Sequence, residues 1–100
     1  MAGRRVAARI ELSGELIAAP EVRVTPAGTP ILRLTVDCGA APGELVLSVV
    51  MTGEPVRSIA MGLEIGRRVQ ASGTLRGLRG RRVPSFEVVA DQISSDAKRG

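Results

Sequence analysis

Short runs of apolar residues at every second position, separated by Gly and Pro, are what most narrows the folds open to this chain. Val6, Ala8, Ile10 and Leu12 alternate with Arg5, Ala7, Arg9, Glu11 and Ser13. A period of two puts one row on a core and the other in solvent, as a half-buried strand requires. The period returns in Leu32, Leu34 and Val36 against Ile31, Arg33, Thr35 and Asp37, and again in Val69, Ala71, Gly73 and Leu75 against Arg68, Gln70, Ser72, Thr74 and Arg76. Arg33 thus points away from the main apolar row. Leu45 to Met51 is apolar on both faces, as expected of a central strand, and Phe86 to Ile93 supplies a last one. Gly14 offers a bulge or bend in a long first strand.

The segments between these runs read as turns. After Glu21-Val22-Arg23-Val24, Thr25 to Pro30 combines Pro and Gly in a tight turn, Cys38 to Gly43 is a small flexible loop, and Leu78 to Pro84 is a loop of Gly and Arg. One segment changes period. Thr52 and Gly53 can cap, Glu54 and Pro55 suit a first helical turn, and Val56, Ile59, Ala60 and Leu63 recur at helical spacing until Gly66. Strand, strand, strand, helix, strand, strand, with the first strand bent, is the order of an all-β, five-stranded Greek-key barrel of the OB type. An SH3-like barrel or small sandwich could carry five strands, but neither normally inserts a capped helix between the third and fourth. A chain of 100 residues supports one such domain, expected over 1–94, with a polar tail at 95–100.

Composition excludes several kinds of chemistry. The single cysteine, Cys38, permits no internal disulfide, and the absence of histidine leaves no zinc site, no usual general base and no partner to activate a nucleophile. No enzyme activity, metal or cofactor is expected. No apolar run reaches the ~18 residues of a membrane span and no secretory signal opens the chain, which points to a cytoplasmic, nucleoid-associated protein with no membrane partner.

The net charge of +4 comes from thirteen Arg and one Lys against ten acids, and it is local. Arg67, Arg68, Arg76, Arg79, Arg81 and Arg82 fall between Ile65 and Phe86 with no acid among them. Guanidinium forks suit bidentate phosphate contacts, so this segment favours a polyanion or an acidic protein surface. Arg67 and Arg68 follow the expected helix and there complement its dipole. Phe86 is the only aromatic residue. It serves either as a core anchor or as a surface on which a base can stack.

Two segments resemble the bacterial single-stranded-DNA-binding protein family. Gly14 to Pro30, GELIAAPEVRVTPAGTP, is similar to the family's opening G-x-L…P-E-x-R-x-T-P-x-G. Gly53-Glu54-Pro55 through Ile59-Ala60, then Gly66-Arg67-Arg68-Val69 and Gly73-Thr74-Leu75, resemble its helix and following G-x-x-V-x-x-x-G-x-L strand. The resemblance implies an OB fold that binds single-stranded DNA, with Arg76, Arg79, Arg81 and Arg82 in the basic DNA-contacting loop and Arg23 at the motif's basic position. Arg33, on an outward row, and Phe86 complete the candidate nucleic-acid-binding set. The short length, the absence of a long acidic tail and the ending Val88 to Ile93 resemble the family's primosomal branch. That branch implies a homodimer formed through the first strand, which assembles with helicase and helicase-loading proteins at replication restart. An ordinary single-strand binder, or an interaction module whose DNA binding has decayed with its aromatics, are the alternatives.

Overall fold

The computed structural model describes residues 8–41, 43–78 and 85–95. Six strands and one helix follow in order: β1 (Ala8–Leu16), β2 (Glu21–Val24), β3 (Pro30–Asp37), β4 (Val46–Thr52), α1 (Pro55–Met61), β5 (Arg68–Leu78) and β6 (Ser85–Ser95). In the sheet order β1-β5-β6-β4-β3-β2, with β1 also pairing β3, five strands close into a ring. All pairs are antiparallel except β4 with β6, whose parallel contact closes the barrel. The expected five-stranded OB barrel is therefore present. A separate four-residue strand, β2, lies outside the ring on the edge of β3. Its hairpin turn is closed by Gly28 N–H donating to the Thr25 carbonyl at 2.8 Å and by Thr29 N–H donating to Thr25 Oγ1 at 3.1 Å.

The inward rows meet where their periodicity places them. Leu12 and Leu16 of β1, Leu32, Leu34 and Val36 of β3, Val49 and Met51 of β4, Val69 and Ala71 of β5, and Val88, Ala90 and Ile93 of β6 form one core. Val56 and Leu63 join it from α1 and the segment behind it. Each Leu, Ile, Val or Met side chain among them contributes roughly 1.5–3 kcal/mol on burial.

Two glycines allow the ring to close. β1 pairs with β5 as far as Glu15 and takes β3 as partner at Glu15 and Leu16, so its expected bend falls beside Gly14. A Cβ there would meet the Asp37 carbonyl and lie 2.8 Å from Val36 Cγ1. Gly73 sits at the register shift between β5 and β6, where Ser72 faces Gln92 and Gly73 faces Ala90. The extra residue, Asp91, makes a bulge, which resets the parity of β6 so that Ile93, Ala90 and Val88 all face inward.

The helix is shorter than its spacing suggests. It ends at Met61 with Gly62 as C-cap, and Glu54 is the N-cap without a side-chain hydrogen bond. Neither Thr52 nor Gly53 is therefore the N-cap; the Gly53 carbonyl accepts from Val56 N–H at 3.1 Å. No basic residue lies in the last turn. The dipole role expected of Arg67 and Arg68 is thus overturned: Arg67 pairs with Glu64 at 3.3 Å, and Arg68 opens β5 and donates to Ser13 Oγ at 3.3 Å.

The loop after β3 is held by two carboxylates, contrary to the flexibility its small residues suggest. Asp37 accepts from Gly39 and Gly43 N–H at 3.2 and 2.6 Å, and Glu44 accepts from Ala40 and Ala41 N–H at 2.9 and 3.0 Å. Among the described residues, no helix is long and apolar enough to cross a membrane.

Candidate nucleic-acid interface

The outward rows of five neighbouring strands build one polar face. Arg76 of β5 stands opposite Glu87 of β6, and Glu87 stands opposite Ser48 of β4. Arg33 of β3 sits opposite Val50, two positions along β4 from Ser48 and so on the same face, and on the far side β2 sets Glu21 opposite Arg33 and Arg23 opposite Ile31. Side chains at paired positions share a face. Arg23, Arg33 and Arg76 are thus brought to one side of the sheet although 53 positions separate the first from the last.

At the centre of this face lies a charge that the sequence analysis did not single out. Glu87 is 4% exposed although it points outward, because β6 is flanked by β5 and β4 and two arginines reach over it. Arg33 Nη1 donates to Ser48 Oγ at 3.1 Å and lies 3.7 Å from Glu87 Oε1. Arg76 Nη2 is hydrogen-bonded to Glu87 Oε2. The arginine side chains stay 50% and 57% exposed, so part of each guanidinium fork faces solvent. A signal for Glu87 was available: it is a charge inside the apolar run Phe86 to Ala90 of a strand that must pair on both sides. The segment from Ile65 to Phe86, free of acid in sequence, is therefore not free of it in space. Arg67 meets Glu64 and Arg76 meets Glu87, each acid lying just outside it.

Phe86 is not a core anchor. It is 52% exposed, on the β5–β6 arm, and its ring covers its cross-strand partner Gly77, where a Cβ would lie 3.7 Å from Cε1. By strand parity it occupies the opposite face of the arm from Arg76 and Glu87. Arg23 is exposed on β2. Arg79, Arg81 and Arg82 lie outside the described residues; in chain order they join β5 to β6.

Among the described residues three titratable groups are perturbed, Cys38 and the paired Arg9 and Asp91. Burial, reinforced by neighbouring Asp37, pushes the Cys38 thiol above its usual range. The hydrogen bond from Arg9 holds the Asp91 carboxyl below its ordinary value, Arg9 Nη1 and Nη2 donating to its two oxygens at 2.7 and 3.2 Å. This exposed pair ties β1 to the bulge residue of β6.

With the geometry in hand, likeness to known proteins is informative at the level of the fold. The structure is similar to the SSB domain of a Synechococcus protein, with 20% identity, 90% of this chain and 97% of that one covered, and a TM-score of 0.73. It is also similar to the second single-stranded DNA binding protein of Mycobacterium smegmatis, with 20% identity, 91% and 90% covered, and a TM-score of 0.74. No family model and no curated protein matches the chain. What is shared at this identity is the fold.

Proposed function

We propose that this chain binds single-stranded DNA without sequence preference, chiefly by electrostatics. The observation that carries the reading is the convergence of Arg33 and Arg76, each half exposed, on one outer face of an SSB-like barrel. Arg23 shares that face, and Arg79, Arg81 and Arg82 enter the chain directly after β5. An OB groove normally adds stacked aromatics worth ~1–3 kcal/mol per base. Here Phe86, the one aromatic of the chain, lies on the opposite face of the β5–β6 arm from Arg76, so phosphate contacts carry most of the affinity.

The finer reading is a protein like primosomal replication protein N, acting with helicase and helicase-loading proteins at replication restart. The motifs from Gly14 to Pro30 and from Gly53 to Leu75 support the wider family, and the run Val88 to Ile93 supports this branch of it. A homodimer through β1 belongs to the same proposal. From Ala8 to Gly14, β1 is bonded to β5 along one edge, while β3 takes up its other edge only at Glu15 and Leu16. An open edge of this kind pairs readily with a symmetric copy. A light-scattering mass of one chain would remove it.

The test is fluorescence anisotropy of a labelled oligo-dT of ~15–35 nucleotides, titrated at several salt concentrations. With ~3–5 phosphates neutralised, the log–log salt slope is expected between about −2 and −3.5. A slope near zero contradicts the reading. The absence of any aromatic on the arginine face, among the described residues, favours a second reading as a protein-docking module. In that case DNA binding stays at the nonspecific level of ~10⁻⁴–10⁻⁶ M while a replication protein binds more tightly.

A further inference from the structure

We propose that Glu87 sets the strength of nucleic-acid binding on this face by holding Arg33 and Arg76 in a shared ion pair, an inference that rests on the single-strand-binding reading above. Its two oxygens are divided between the arginines, Oε1 facing Arg33 and Oε2 facing Arg76. The carboxylate is buried under its partners, so solvent screens it less than an exposed acid and it stays with them when a ligand arrives. Of the other carboxylates on these outward rows, Glu21 is exposed and Asp37 accepts from the Gly39 and Gly43 amides at the far end of β3. The cluster therefore presents one net positive charge where its two arginines alone would present two. A phosphodiester must share guanidinium donors that already serve Glu87, and fewer counterions are released on binding. The face is set for weak, readily reversed association, and its affinity can be raised by removing an acid without adding a base.

The test compares wild type, Glu87→Gln, Arg76→Gln and the double variant Arg76→Gln/Glu87→Gln, using labelled oligo-dT and anisotropy from 0.05 to 0.3 M salt, with far-UV circular dichroism confirming the fold of each. Unmasking one charge is expected to steepen the salt slope by ~0.7 and to tighten binding about fivefold near 0.1 M salt. Glu87→Gln should show this gain over wild type. The double variant should show the same gain over Arg76→Gln and return to the wild-type slope, because the net charge of the cluster is then restored. That second comparison decides the matter if Glu87→Gln alone fails to fold. Unchanged affinity and slope on removing Glu87 from a wild type that binds would overturn the inference alone. Weaker binding with a shallower slope would overturn it too, since Glu87 would then serve only as scaffolding for the arginines. Absence of binding by all four proteins would remove the underlying reading and this inference with it.

Discussion

Replacing Gly73 with alanine is expected to destabilise the barrel by about 3 kcal/mol through a single methyl group. A Cβ at this position would lie 2.6 Å from Ala90 Cα and press on the Val89 carbonyl, so the clash is with backbone on the facing strand and cannot be relieved by a rotamer change. β6 cannot retreat, because β4 is bonded along its other side. The two strands must therefore separate. Overpacking of this kind costs ~1–3 kcal/mol, and each ladder hydrogen bond weakened beside the bulge adds about 1 kcal/mol. For a domain of this size, ~3 kcal/mol corresponds to a fall in Tm of roughly 12–24 °C. Far-UV circular dichroism is the suitable assay, since the chain has no Trp or Tyr to report on tertiary structure. Gly62→Ala is the matched control: its Cβ would meet only the Ile59 carbonyl, at 3.9 Å, and the backbone has a negative φ that alanine adopts freely. Its Tm is expected to hold or rise slightly. A Gly73→Ala melt within about 2 °C of wild type, or an equal loss from Gly62→Ala, would refute the close-approach argument and with it the bulge that sets the parity of β6.

Three further outcomes follow from the packing and the perturbed groups. Leu34→Ala removes a side chain 1% exposed at the centre of the core and is expected to lower unfolding free energy by ~2–5 kcal/mol in urea titration; a loss under about 1 kcal/mol would contradict its central place. Cys38 should react with iodoacetamide more slowly than free cysteine at neutral pH and at the free rate once the chain is unfolded, because burial and Asp37 both disfavour its thiolate. Asp91 has a folded pKa below its unfolded one, so the Arg9–Asp91 pair stabilises the fold above the unfolded value and loses that contribution as pH falls through the folded value. Asp91→Asn should flatten this part of the acid-stability profile, an effect that shrinks with added salt; an unchanged profile would show that the pair does not form in solution.

The barrel was legible because period-two rows survive every local detail. Leu32, Leu34 and Val36 face inward and Arg33 outward as alternation alone requires. The bend at Gly14 was legible too, since a glycine in a strand signals close approach. Parity failed at β6, where the inward residues Val88, Ala90 and Ile93 break the period once. That break marks the bulge, and reading the segment as one regular strand conceals it. The helix ran short because Gly62 ended it before the apolar spacing did; Leu63 reaches the core from the turn that follows. On the candidate site, local sequence could place Arg33 and Arg76 on outward rows but not beside each other. Their meeting over Glu87 depends on β4 and β6 pairing in parallel, a contact between residues 39 positions apart at Ser48 and Glu87. The lone aromatic misled for a similar reason: composition favours burying the only Phe, whereas its place on the β5–β6 arm sets it over Gly77 beyond the core.

The most direct test of the central claim is to titrate ¹⁵N-labelled protein with unlabelled oligo-dT of ~15 nucleotides and follow the amide resonances residue by residue. Binding on the arginine face is expected to move the signals of Arg33, Ser48, Arg76 and Glu87, with those of Arg79, Arg81 and Arg82, and to leave α1 and the β1–β5 pairing still. Resonances that do not move at millimolar oligonucleotide, or that move only around the groove lined by Leu12, Met51, Ile59, Ala71 and Ile93, would contradict it.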